Sequence, residues 1–372
     1  MITSGLPRPR PSVAALPAYK PGKSAEAAMR EHDITSAIKL ASNENPYLPL
    51  PSVAEALARD GGAATNRYPD HRATAVREAL AARLARTPDE IAVGCGSVGL
   101  LQQLLLTYVD PGDPVVYGWR SFEAYPIYTQ TVGGVAVQVP NRADQSLDMK
   151  GITSAVTART PLVLVTSPNN PTGTAVTHDE LVTLLDAVAP TTLVVLDEAY
   201  HEYVTAADAP DALALQQRHP NLAVLRTFSK AYGLAALRIG YLVAHAEVVA
   251  AVDRVLVPFC VNGLAQTAAL ASLAAEAELH ERVGTTLSER ARVMGELRAR
   301  GVGLPDAQAN FVWLPVGGPA IALSLALEER GVVTRPFAGE GIRVTIGTPD
   351  ENDRFLAAFD DARRAEPAQS HR

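Results

Sequence analysis

Seven short apolar runs mark the first two-thirds of the chain: 91–97 (IAVGCGS), 114–118, 135–140, 161–168, 191–200, 223–230 and 238–244. Most carry successive Val, Leu and Ile residues with no alternation of apolar and polar positions, so the strands they predict belong to a sheet covered on both faces. Helical spacing fills several of the gaps, at 73–84, 98–108 and 177–189. Alternation of strand and helix predicts an α/β fold with a mostly parallel seven-stranded sheet between helices. From about residue 247 the pattern changes to long Ala, Leu and Glu-rich helices at 264–277 and 279–300. Short strands at 311–316 and 342–348 follow them, which predicts a smaller α+β domain. The first 45 residues, with prolines at 7, 9, 11, 17 and 21, read as an extended arm. The expected division is therefore an arm (1–45), a large domain (46–246) and a small domain (247–372), with no internal repeat.

Composition narrows the function. A chain of 372 residues with 47% hydrophobic and 20% charged residues is that of a soluble globular enzyme. A net charge of −7 argues against nucleic acid as a partner, because a phosphate backbone needs a basic face. Cys95 and Cys260 lie too far apart for a CxxC metal site, and two cysteines make no disulfide framework. The proline-rich start lacks a signal peptide's apolar core, and no apolar run is long enough to span a bilayer, so a cytoplasmic location is expected.

Four clusters carry candidate chemistry. In TFSKAYGLAALRIGY (227–241), Lys230 ends an apolar strand and Arg238 follows eight positions later; a lysine buried there is costly unless it is neutral or covalently engaged. In LVVLDEAY (193–200), Asp197 stands at the carboxyl end of a strand, where α/β sheets place ligands, with Tyr200 three residues on. SPNNPTG (167–173) contains Asn170, and VGCGSVG (93–99) is a glycine turn opening a helix, whose free N–H groups make an anion cradle. Each has an ordinary reading as well: a strand-exit lysine, an N-cap aspartate, a plain turn, a tightly packed glycine.

Taken in chain order, from the glycine turn at 94–97 through NNPTG (169–173) and DEAY (197–200) to SKAYGLAALRIGY (229–241), and together with LASNENPY (40–47), NRYPD (66–70) and IRVTIGT (342–348), the clusters resemble the fold-type I aminotransferases that depend on pyridoxal 5′-phosphate (PLP). The likeness covers about residues 13–360. Within that superfamily the chain is most similar to the histidinol-phosphate and aromatic aminotransferase branch, above all to the actinobacterial aromatic aminotransferases. The resemblance implies that Lys230 holds PLP as a Schiff base and then moves the substrate proton, with burial and Arg238 lowering its pKa. It implies that Asp197 pairs with the cofactor's pyridine nitrogen, that Asn170 and Tyr200 bond its ring oxygen, and that Gly96, Ser97, Ser229 and Arg238 grip its phosphate. Phe122 is the expected stacking ring, with Trp119 its rival. For substrate it points to Arg343 on the α-carboxylate, supported by Asn43, with Trp119 also on the substrate side. Tyr68 is expected to reach the phosphate of a neighbouring subunit, and Tyr19 a neighbour's substrate pocket, which implies a homodimer with shared active sites. No metal is implied.

Arg335 stands where relatives carry an arginine able to meet a substrate phosphate, which keeps a histidinol-phosphate substrate open. The short loop RPFAGEGIR (335–343) and the aromatic segment GWRSFEAY (118–125) favour aromatic amino acids, with a 2-oxo acid such as 2-oxoglutarate as acceptor. PLP decarboxylases and lyases share the scaffold. A sensor built on it would need a DNA-binding domain, and none is seen. A dinucleotide enzyme is disfavoured, since VGCGSVG lacks the acidic partner about 20 residues on.

Overall fold

The computed structural model describes residues 8–17, 22–60 and 66–365. At its centre lies a seven-stranded sheet with the order Ile91–Gly94, Gly240–Val243, Leu222–Thr227, Leu193–Asp197, Leu162–Thr166, Pro114–Trp119, Val135–Pro140. Six strands run parallel; Gly240–Val243 alone is antiparallel to both its neighbours. The expectation of two covered faces holds in the middle of the sheet. Val194, Leu196, Leu222 and Val224 enter one core, while Leu193, Val195, Ala223 and Leu225 enter the other. Alternate residues thus face opposite layers, and a run with no polar position results. Val135–Pro140 departs from this. It is an edge strand, hydrogen-bonded on one side only, and Val135 is exposed.

A three-stranded antiparallel sheet, Arg335–Phe337, Gly341–Thr345 and Phe311–Leu314, forms the core of the smaller part together with Glu276–Ala299, Ala320–Glu329 and Pro349–Ala365. Helix Gly263–Ala274 packs elsewhere: Ala265, Ala268 and Ala269 sit in the core of the large sheet, so packing of that unit continues past residue 246.

The arm is more structured than its prolines suggest. Pro11–Ala14 is a short helix, and Ala25–His32 is a helix capped by Ser24, whose hydroxyl accepts from the Ala27 N–H at 3.1 Å. Lys23 and His32 both pair with Glu328 of the Ala320–Glu329 helix, and Ile38–Lys39 adds a parallel strand to Val332–Val333. The AEAAMREH run favours a helix and Ser24 starts it; the prolines lie upstream, where they cannot break it. Among the described residues no helix is long and apolar enough to cross a membrane.

Candidate active site

Parallel strands end together, and here their carboxyl ends share one edge. Asp197 lies beside Thr166 in register, and Thr227 and Gly94 both lie beside Gly240. Above this edge is a cavity of about 270 Å³. Asn43, Ser97, Phe122, Asn170, Asp197, Tyr200, Ser229, Lys230, Arg238, Arg335 and Arg343 all line it, and Gly96 lies directly beneath Arg238. Residues scattered over three hundred positions are thus gathered in one place. Trp119 is not part of the cavity wall: its ring meets Tyr117 edge-on at 6.2 Å and carries the Arg120 guanidinium at 4.4 Å. Of the two stacking candidates, Phe122 is the one facing the cavity. Tyr68 is 82% exposed and stacks on Phe259, away from the cavity of its own chain. Tyr19 lies outside the described residues.

Lys230 reaches into the cavity from the turn after its strand, with Nζ 3.2 Å from the Asn43 carbonyl oxygen and 3.4 Å from that of Ser42. Its pKa is pushed down to about 7, first by burial and next by the Arg343 guanidinium, with Arg238 contributing less and Glu44 and Asp197 opposing. The sequence pointed to Arg238 as the responsible cation; Arg343 is the stronger one. Near neutral pH the nitrogen is therefore poised between ammonium and free amine.

Asp197 is buried, and burial raises its pKa to about 6. Its Oδ2 accepts from the Tyr125 hydroxyl at 2.9 Å and its Oδ1 from the Ala199 N–H at 3.3 Å. Tyr125 has one hydroxyl proton, and giving it to Asp197 makes Thr166, 2.6 Å away, the donor toward Tyr125. Burial and the Asp197 carboxylate hold the Tyr125 phenol protonated. Neither Tyr125 nor Thr166 was singled out from the sequence; a tyrosine in the aromatic GWRSFEAY segment was the available signal. The next residue, Glu198, points to the other side of the sheet and forms a buried ion pair with Arg226 at 2.7 Å.

The opposite end of the cavity is an anion cradle. Helix Gly96–Tyr108 begins here, and Gly96 has φ +70°, open to glycine at little cost. A Cβ at Gly96 would stand 2.6 Å from the Arg238 guanidinium. Arg238 itself adopts the left-handed region and donates to the Ser229 hydroxyl at 3.3 Å. Free N–H groups at a helix start, a hydroxyl and a guanidinium converge, a donor set suited to a phosphate.

A third side comes from the arm and the small sheet. Asn43, with φ 52°, donates from its side chain to the Tyr200 hydroxyl at 2.9 Å, and Thr345 holds it through both backbone and side chain. Arg343 donates to the Asn170 side-chain oxygen at 2.5 Å and to the Ala41 carbonyl at 2.6 Å. Arg335 is ion-paired at 2.8 Å with Glu123, which sequence reasoning missed because nothing local links positions 212 apart.

Residues 35–359 match the family model described as aminotransferase class I and II. The chain is 52% identical to the aromatic amino acid aminotransferase of Thermobifida fusca, over 93% of this chain and 95% of that one. It is 49% identical to the enzyme of the same name from Streptomyces coelicolor, over 96% and 98% of the two chains. Among solved structures, a histidinol-phosphate aminotransferase from Sinorhizobium meliloti in complex with PLP superposes with a TM-score of 0.88 at 31% identity, covering 98% of this chain and all of that one. The chain belongs to the class I and II aminotransferase family.

Proposed function

We propose that the protein transaminates aromatic L-amino acids in ping-pong half-reactions, with PLP as cofactor and 2-oxoglutarate as amino acceptor. The observation that carries this reading is Lys230, its pKa near 7, facing Asp197 across one cavity. These residues fit PLP: the cradle of Gly96, Ser97, Ser229 and Arg238 suits its phosphate, Asp197 its ring nitrogen, and Lys230 its aldehyde. When bound, PLP supplies a carbonyl carbon that takes up amines and a ring that draws electrons from the substrate Cα.

The chain's own groups do the rest. The Lys230 nitrogen, once unprotonated, accepts the Cα proton and returns it to the neighbouring carbon. The Asp197 carboxylate, aimed by Tyr125 and Thr166, holds the proton on the ring nitrogen. Asn170 and Tyr200 orient the ring oxygen, and Phe122 covers a ring face. Arg343 offers a planar fork to the α-carboxylate, with Asn43 fixing the wall beside it. Tyr68, exposed on its own chain, supports a homodimer in which it reaches the partner's cofactor phosphate.

The relatives' names favour aromatic substrates over histidinol phosphate. Phenylpyruvate formation from L-phenylalanine and 2-oxoglutarate, compared with turnover of L-histidinol phosphate, tests this. Phenylalanine should have the higher kcat/KM by about tenfold or more; the reverse order would assign the enzyme to the phosphate-bearing substrate.

A further inference from the structure

We propose that Glu123 is a specificity-determining residue. By holding Arg335, it suits the substrate end of the cavity to a carboxylate and sets it against a phosphomonoester. This rests on the aromatic-amino-acid reading and names a residue that enforces it.

Arg335 and Arg343 are direct partners in the antiparallel pairing of Arg335–Phe337 with Gly341–Thr345, and both line the cavity. Directly paired side chains share one face of a sheet, where two like charges repel. Their surroundings differ. Arg343 donates to two neutral oxygens, those of Asn170 and Ala41. Arg335 is engaged by the Glu123 carboxylate at 2.8 Å, and its side chain is 15% exposed. Glu123 lines the same cavity and comes from the other side of it, between Phe122 and helix Ala124–Val132 of the large unit. Outside the cavity lining, Arg120 is ion-paired with Glu340 and lies over the rings of Trp119 and Phe337.

A guanidinium clamped by a carboxylate has its charge matched and part of its donor fork occupied. A phosphomonoester brings roughly −1.5 to −2 charges near neutral pH, where a carboxylate brings one. Setting the extra charge beside Glu123, whose side chain is one-third exposed, is repulsive, and salt screens that repulsion only in part. Discrimination then comes from a group that opposes the wrong ligand as well as from those that attract the right one. L-Histidinol phosphate is the relevant competitor, since its phosphate ester replaces the carboxylate of an amino acid.

The test compares half-reactions of the holoenzyme with L-phenylalanine and with L-histidinol phosphate, in wild type, Glu123→Gln, Glu123→Asp and Glu123→Gln/Arg335→Gln. Glutamine keeps the shape and removes the charge. Glu123→Gln should raise the histidinol-phosphate to phenylalanine selectivity ratio about tenfold, Glu123→Asp should hold it near the wild-type value, and the double variant should lose the gain. Glu123→Ser serves as a second neutral variant should the glutamine form not fold. A ratio unmoved in the neutral variants, with phenylalanine still converted, overturns the role of Glu123 and leaves the aromatic reading standing. So does a shift in Glu123→Asp as large as in Glu123→Gln, which would trace the effect to packing. A wild type that already prefers histidinol phosphate overturns both.

Discussion

An amine is a nucleophile only when it has lost its proton, and at Lys230 that loss falls near pH 7. Burial opposes the ammonium, and Arg343 adds repulsion from a side chain also assigned to the substrate. The sign of the pH dependence follows. Below about pH 7 most Lys230 is protonated, so PLP capture by the apoenzyme should speed up roughly tenfold per pH unit. Above it the amine is free and the rate should level off. Cofactor uptake followed by absorbance from pH 5.5 to 9.5 checks this; a rate still climbing at pH 9 would mean that Lys230 titrates as an ordinary lysine. At this scale the residues inside local motifs were legible in the sequence, because Lys230, Ser229 and Arg238 share the one loop between two strands. Tyr125, Thr166 and Glu123 were not. Their roles depend on a helix start meeting strand ends and on a second sheet approaching from 212 positions away, and no short window of sequence contains those contacts.

Among the elements, the glycine strand-turn-helix depends on Gly240. A Cβ there would stand 2.5 Å from the Ser97 nitrogen, 2.8 Å from the Gly96 carbonyl carbon and 2.9 Å from the Arg226 carbonyl oxygen. All three are backbone atoms, so the helix start proposed to hold the phosphate would have to move away. Gly240→Ala should cost about 1–3 kcal/mol of stability and weaken PLP binding by about tenfold or more, read as Tm and as cofactor Kd. The control is Gly284→Ala, on an exposed helical position with nothing within 4 Å of the new methyl. It should stabilise by about 0.4–1 kcal/mol and leave cofactor binding unchanged. Equal PLP affinity in Gly240→Ala and wild type would remove Gly240 from the cradle. The strand–helix order was plain from the apolar runs. The edge position of Val135–Pro140 was not, because its Val-rich pattern is the same whether one neighbour or two flank it.

Over the whole molecule, three regions far apart in sequence enclose one cavity. The large sheet brings Lys230, Asp197 and the anion cradle; the small sheet brings Arg335 and Arg343; the arm brings Asn43. The arm is held in place by Ala25–His32 against Ala320–Glu329 and by Ile38–Lys39 against Val332–Val333. Its helix was readable in principle from Ser24 and the alanine-rich run behind it, but the neighbouring prolines dominated the pattern. Convergence on Lys230 is the central claim, and the half-reaction with L-phenylalanine in Lys230→Ala tests it most directly. Stopped-flow absorbance would follow conversion of bound PLP to its amine form, against wild type. The rate should fall by a factor on the order of 10³ or more, with the Lys230-linked cofactor band absent. Conversion at a rate near that of wild type would show that another group moves the proton and would contradict the mechanism.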